Sequence, residues 1–370
     1  MAEVQNQETI EYKKDLPKKK DRFAIATSLL IFGMGIITVA SMIIFKLQIW
    51  NKVNPKEEIN QYETYDRYYA LITNDVKSEF WESVYEGARE TGAKDHKAYV
   101  ENFASDLGTN YTIEERVKMA IAADVDGIII EGGGSDELLS LVAEATEQGI
   151  PVVTVREDIT DAQNVSFVGC SEYDMGLSYG AQIIQLATKI RAEQKEQGKE
   201  PSDAMNVKIL ISQTAEESSQ NLMLSGIREE VAQNYTLSKV LTLEFCSVDD
   251  SGSFTVEESI RDIFLDKEDR PDIIVCLTEL QTNCAYQAVV DYNRVGETNI
   301  IGFYDSENIL NEIKKEIIYS TVSMDTRQMG QYCVDALEEY TELGNVSEYY
   351  AVDNYVVKLD NLSEYERGEE

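Results

Sequence analysis

The chain is short of histidine, of paired cysteine and of positive charge. One histidine, His96, stands in 370 residues. The commonest general acid–base side chain is therefore almost missing. Five cysteines, Cys170, Cys246, Cys276, Cys284 and Cys333, make an odd number and form no C-x-x-C pair. A structural zinc site needs a cluster of such ligands, and a disulfide framework needs paired spacings. The sequence implies neither, and the thiols read as buried and free. No HExxH or Walker pattern occurs. Lys and Arg number 33 against 68 Asp and Glu, for a net charge of −35. Phosphate backbones are bound by Lys and Arg, so nucleic acid is excluded as a partner. The acidic surplus reads as a well-solvated surface. Carboxylate pairs such as Glu216-Glu217 and Asp249-Asp250 are too common here to mark a glycosidase pair. The expectation is a chain with no catalytic role, no cofactor and no metal.

Against these shortages stands one long apolar run. Residues 23–45, FAIATSLLIFGMGIITVASMIIF, carry no charge. A helix of that length spans roughly 35 Å, enough for a bilayer core. The flanking KKDLPKKKDR, residues 13–22, holds six basic residues. The positive-inside rule then places residues 1–22 in the cytoplasm as a basic tail. The run is longer than a signal-peptide core and lacks a small-residue cleavage site. No nearby cysteine could carry a lipid. Residues 46–65 form a polar stalk whose Trp50 suits the membrane interface. The expectation is a single-pass anchor at the cell membrane with an extracellular body.

Beyond the stalk, strand and helix patterns alternate. YYALIT (68–73), DGIIIE (126–131), IPVVTVRE (150–157) and NVSFVGC (164–170) read as strands. FWESVYEGARETG (80–92) and DELLSLVAEATEQG (136–149) place apolar residues on one helical face. A second round follows with the strands VKILISQ (207–213), LSKVLTLEF (237–245), PDIIVCLTE (271–279) and NIIGFYDS (299–306). Continuous apolar strands between amphipathic helices indicate parallel sheets covered on both faces. The fold class is α/β with two doubly wound lobes. RAEQKEQGKEPSDAMN (191–206) reads as a polar surface loop.

The order ALITN, SEFWESVYEGARETGA, VDGIIIEGG, GIPVVTV, NVSFVG, YDMGLSYG, IIVCLTE and IIGFYDS resembles the type I periplasmic solute-binding proteins. Ribose- and galactose-binding proteins are the nearest type. The resemblance implies two lobes joined by crossover strands and closing over a small solute. It implies one lobe from 66–170 plus 325–353 and a second from 171–324 plus 354–363. It also implies a carbohydrate-like ligand and either an ABC permease or a sensor kinase or chemoreceptor as partner.

The family's ligand positions carry over one at a time. Asn74 ends the first strand, and Ser78, Phe80 and Trp81 open the first helix, where aromatics clamp a sugar ring in the family. The two aromatics are equally readable as core residues of a helix start. Arg156-Glu157 follows PVVTV where the family has an Asp-Arg pair; a surface ion pair is the plainer reading. In the second lobe Met223, near Asn221, stands where an Arg is typical. Thr278-Glu279 replaces an Asn-Asp pair. Tyr304, with Asp305 one residue later, departs from the family's Gly-Phe-Asp. Met324 replaces a glutamine. Several hydroxyl-gripping groups thus give way to apolar ones, which implies altered ligand chemistry.

EGGGSDELL (131–139) lacks the lysine of a P-loop and the spacing of a dinucleotide fingerprint. Ser135 suits a helix cap, with Asp136 and Glu137 in the first turn. The glycines read either as a slim rim admitting a ligand or the opposite lobe, or as a plain strand-to-helix turn.

Overall fold

The apolar runs become strands because their two faces are both buried. In GIIIE, strand β3 (Gly127–Glu131), all five residues are buried. The same holds for the four residues of β8 (Ile273–Cys276). Such strands need helices on both sides of the sheet.

The computed structural model describes residues 64–73, 78–105, 111–133, 135–159, 161–198, 200, 204–213, 217–265 and 269–365. The tail 1–22, the apolar run 23–45 and the stalk up to residue 63 lie outside the described residues, as does Asn74. Among the described residues no helix is long and apolar enough to cross a membrane. The chain divides at Thr64, and every element below belongs to Tyr65–Glu370.

The first sheet holds β1 (Arg67–Ile72), β2 (Ala98–Asn102), β3, β4 (Val152–Val155), β5 (Ser166–Cys170) and β11 (Tyr349–Val352). Its order is β11-β5-β4-β3-β1-β2, with parallel pairing throughout. The second sheet holds β6 (Met205–Ser212), β7 (Leu241–Val248), β8, β9 (Asn299–Phe303), β10 (Ile318–Met324) and β12 (Asn354–Lys358). Its order is β12-β10-β9-β8-β6-β7, and only β12 runs antiparallel.

The helices are α1 (Glu79–Thr91), α2 (Ile113–Ala122), α3 (Asp136–Glu147), α4 (Glu172–Glu196), α5 (Glu217–Gln233), α6 (Ser253–Leu265), α7 (Glu279–Asp291), α8 (Glu307–Lys314) and α9 (Thr326–Leu343). Period-two alternation sorts the strand residues between them. In the first lobe, Ala70, Ile72, Ile128 and Ile130 face α2 and α3. Tyr69, Leu71 and Ile129 face α1 and α9. In the second lobe, Leu210, Ile274 and Ile300 face α6, α7 and α8, while Ile209, Val275 and Ile301 face α4 and α5. The chain passes between sheets from β5 to α4, from β10 to α9 and from β11 to β12. At the first passage α4 meets α5 through glycines. A Cβ on Gly176 would lie 2.2 Å from the Met223 carbonyl oxygen, and one on Gly226 would lie 2.3 Å from that of Tyr173. Only bare backbone allows this approach.

Two segments differ from the sequence reading. The stretch read as a loop from 191 begins as the last turns of α4, which runs to Glu196. Its Ala, Glu, Gln and Lys residues are good helix formers, so polarity alone does not end the helix. The strand read from 237 starts at Leu241, because the preceding residues close turns. Leu237 N donates to Asn234 Oδ1 at 3.1 Å, and Val240 N donates to the Leu237 carbonyl at 2.9 Å. The cysteines are free, with Cys170, Cys276 and Cys333 buried.

Candidate functional site

Parallel strands present their carboxyl ends on one side of a sheet, and open α/β sheets bind ligands there. The carboxyl ends of both sheets here line one cavity of about 100 Å³. One ordered water needs about 10–15 Å³ by the same measure, so the space suits a single small ring or an equivalent solute. Arg156 and Glu157 reach it from the end of β4, and Cys170 from the end of β5. Glu172 and Met175 come from the first turn of α4, and Gln220 and Met223 from α5. Ser212, Leu277-Thr278, Phe303 and Met324 come from the ends of β6, β8, β9 and β10.

The Arg156 turn is built by strain and by a glycine. Arg156 has φ of 68°, outside the range usual for a side chain larger than glycine. The turn is closed by Glu157 N donating to the Val155 carbonyl at 2.9 Å, and Arg156 N donates to Val168 of β5 at 2.9 Å. Gly132, just past β3, permits the turn, since a Cβ there would sit 1.8 Å from the Glu157 carbonyl oxygen. The glycine run therefore makes room for a neighbouring loop of its own lobe; at Gly132 this replaces the reading as a rim for the ligand or the opposite lobe.

The Arg156 guanidinium is held on two sides. Its Nη1 lies 3.4 Å from Glu131 Oε1, and the group lies 5.3 Å from the centre of the Phe80 ring. Phe80 meets Trp81 edge-on at 5.0 Å and Tyr304, from the other lobe, at 5.3 Å. Phe80 and Trp81 are buried in the core cluster and stand behind the cavity wall. Their placement fits the core alternative, with Phe80 serving as a seat for Arg156. Ser78 caps α1 by accepting from Trp81 N at 3.2 Å.

The second lobe contributes a largely apolar wall: Met175, Met223, Leu277, Phe303 and Met324. Thr278 caps α7 by accepting from Gln281 N at 3.1 Å, which leaves its own hydroxyl proton for another acceptor. Tyr304 is fully buried with φ of 70°, and its N–H donates to Val322 of β10 at 2.9 Å. Asp305 lies off the cavity. Its carboxylate accepts from Ser323 Oγ at 2.6 Å and from the Tyr355 hydroxyl at 3.1 Å. Asn221 is exposed while Met223 is buried, because the two are about 200° apart around α5. Glu279 opens α7 beside Thr278 without lining the cavity. Of the thirteen residues expected at the site, Arg156, Glu157, Met223, Thr278 and Met324 line the cavity.

Glu172 is the residue that sequence reasoning missed most. It is half-buried, one position past the α4 cap Ser171. Burial pushes its carboxyl up to about 7; Arg156 opposes this and Glu157 adds to it. Nothing in an acidic chain singles it out, but its place in the first helical turn after a strand leaving the sheet is readable. Burial likewise lifts the Cys170 thiol to about 11, so the thiol stays protonated at neutral pH.

One contact crosses the cleft at its edge. Ser306, the cap residue of α8, makes no side-chain cap bond. Glu79 Oε2, from α1 of the other lobe, accepts from Glu307 N at 3.1 Å instead.

No curated protein sequence matches the chain significantly. Among solved structures it is similar to GanP, a glucose-galactose binding protein from Geobacillus stearothermophilus. The identity is 23%, the match covers 81% of this chain and 99% of that one, and the TM-score is 0.64. It is similar to a chain of the XylFII–LytSN complex, at 22% identity over 80% and 99% of the two chains, with TM-score 0.61. It is also similar to an ABC transporter periplasmic solute-binding protein from Actinobacillus succinogenes with bound D-allose, at 16% identity over 81% and 100%, with TM-score 0.67. At these identities the likeness shows the fold. A model of the periplasmic binding protein domain matches residues 69–345. The chain belongs to the periplasmic binding protein domain family.

Proposed function

We propose that the chain captures a small carbohydrate-like solute between its lobes and hands it to an ABC importer, without catalysing a reaction on it. The observation that carries this reading is the cavity itself. It lies at the carboxyl ends of the parallel strands of both sheets and is lined by three charged residues and a largely apolar set from the second lobe. An apolar surface suits the C–H face of a sugar ring, and a few placed polar groups fix its hydroxyls. Similar structures, a glucose-galactose binding protein and a solute-binding protein with bound D-allose among them, support the same class. In this reading residues 23–45 anchor the chain in the cell membrane, residues 1–22 stay in the cytoplasm, and the binding body is extracellular. A second reading is favoured by one observation, the likeness to a chain solved in the XylFII–LytSN complex. In this second reading the lobes of this chain report the bound solute to a partner protein such as a sensor kinase.

The test is a thermal-shift panel of monosaccharides, polyols and amino sugars on the full chain. A true ligand at 100 times its Kd adds about 2.7 kcal/mol of stability. A flat response across the panel removes the carbohydrate reading. Protease accessibility on intact cells tests the topology: degradation of the body from outside is expected, and full protection refutes the placement.

A further inference from the structure

The charge balance of the cavity says more about the solute, and this step rests on the solute-binding reading. The polar side carries Arg156, Glu157 and Glu172. Arg156 is engaged by Glu131 at 3.4 Å and seated on Phe80. That pairing leaves two carboxylates on the wall with no matching positive charge. Among the described residues neither Glu157 nor Glu172 has a side-chain hydrogen-bond partner. A carboxylate withdrawn from water without a partner is costly, and burial indeed holds the Glu172 proton on to about 7. The charged groups acting on Glu172 are Arg156 and Glu157, in opposite directions, and Cys170, Tyr179 and Tyr349 lie within its electrostatic reach. A bound cation would remove the cost.

The cation has a definable form. Among the described residues no group of three His, Cys, Asp or Glu could hold a metal ion. The second lobe's lining is largely methionine, leucine and phenylalanine, which favours a ligand with hydrocarbon surface. The Thr278 hydroxyl offers a proton to an acceptor oxygen. A small organic body with an ammonium group, a C–H face and an oxygen satisfies all three.

We infer that the cavity takes a solute carrying a protonated amine, an amino sugar within the carbohydrate reading, with its ammonium between Glu157 and Glu172 and its C–H face on the methionine wall. Glu157 and Glu172 select the charge, and Met175, Met223 and Met324 accept the ring.

Titration calorimetry on the full chain tests this. The probes are D-glucosamine, D-galactosamine, their hydroxyl counterparts glucose and galactose, N-acetylglucosamine, and the acyclic amine putrescine. The pH is set below the amines' own pKa. An amino sugar should bind at least about ten-fold more tightly than its hydroxyl and N-acetyl counterparts, a margin of about 1.4 kcal/mol. In Glu157→Gln and Glu172→Gln that margin should shrink to about three-fold or less, with neutral-sugar affinity less affected. Neutral sugars binding as tightly as amino sugars would overturn the amine and leave the carbohydrate reading standing. Putrescine binding without any sugar would support the cation and remove the carbohydrate. Binding by none of these probes would overturn the amine inference, while the carbohydrate reading stands or falls on the wider thermal-shift panel.

Discussion

Replacing Glu172 with glutamine should remove an unusual pH dependence. The carboxyl moves from 4.5 when free to about 7 when folded, chiefly through burial. A tenfold change in proton affinity corresponds to about 1.4 kcal/mol, so the difference amounts to roughly 3 kcal/mol as an upper figure. The sign follows from proton binding. Between 4.5 and about 7 the folded state holds the Glu172 proton and the unfolded state has released it. The stabilisation from this group is therefore complete below 4.5 and is lost as pH rises through about 7. Most carboxylates in folded proteins behave in the opposite sense.

The wild-type curve alone will not isolate this effect, because a chain with 68 acidic residues has many other pH-dependent terms. The difference between Glu172→Gln and wild type does. Glutamine keeps the size and cannot ionise. Urea denaturation of both proteins across pH 4 to 8 gives that difference, provided the m-values agree. The variant should gain up to about 3 kcal/mol on wild type between the two ends of the range. Most of the gain should fall between 4.5 and 7. Glu157→Gln should reduce the effect, since Glu157 helps to raise the proton affinity. Parallel stability curves, differing by a constant at every pH, would refute the claim that burial of Glu172 outweighs the pull of Arg156.

Three further changes probe the same architecture. Gly132→Ala would drive a methyl into the Glu157 carbonyl, so it should destabilise by at least ~2 kcal/mol and weaken ligand binding, measured by urea denaturation and calorimetry. Phe80→Ala removes a buried ring and the seat of Arg156, which should cost about 3–5 kcal/mol and lower affinity for any ligand found. Unchanged affinity would show that the ring does not position the guanidinium. Glu79→Ala removes the cross-lobe cap on α8, so thermal stability should fall slightly and ligand affinity by up to about five-fold, since about 1 kcal/mol of capping is lost. A variant with wild-type affinity would mean that the Glu79 contact does not bear on the bound arrangement.

The two-lobed α/β scheme was legible because a strand buried on both faces must be apolar throughout, and runs such as GIIIE and IIVC are. Arg156, Glu157, Thr278 and Met324 were legible as cavity residues only through the family resemblance; the structure places each at or just past the carboxyl end of a strand. What was not legible depends on neighbours far away in sequence. Phe80 meets Tyr304 and Arg156, so its role as a hidden seat has no local signature. Asp305 is bound to Ser323 and Tyr355, contacts that no motif around it announces. The glycine run was read for its own flexibility, whereas Gly132 answers to a carbonyl 25 residues on. Glu172 is one acid among many until its burial is known.

The two lobes make the same sharp turn with different side chains, and that difference explains why the cavity has two chemistries. Arg156 follows β4 and Tyr304 follows β9, and each strand is fourth in its own sheet by chain order. Both residues adopt positive φ, at 68° and 70°. Both donate their N–H to the next strand, β5 or β10, from which the chain then leaves its sheet. A left-handed residue of this bulk costs on the order of 1–3 kcal/mol and persists only where its surroundings fix it. In the first lobe the surroundings are Gly132, Glu131 and the Phe80 ring, and they hold an arginine beside open space. In the second lobe the Tyr304 ring is fully buried against Phe80. Its neighbour Phe303 and the following strand's Met324 are left to face the cavity. One turn geometry therefore places Arg156 on the first lobe's wall and leaves Phe303 and Met324 on the second's. Phe80, touching both Arg156 and Tyr304, is where the two walls are set against each other.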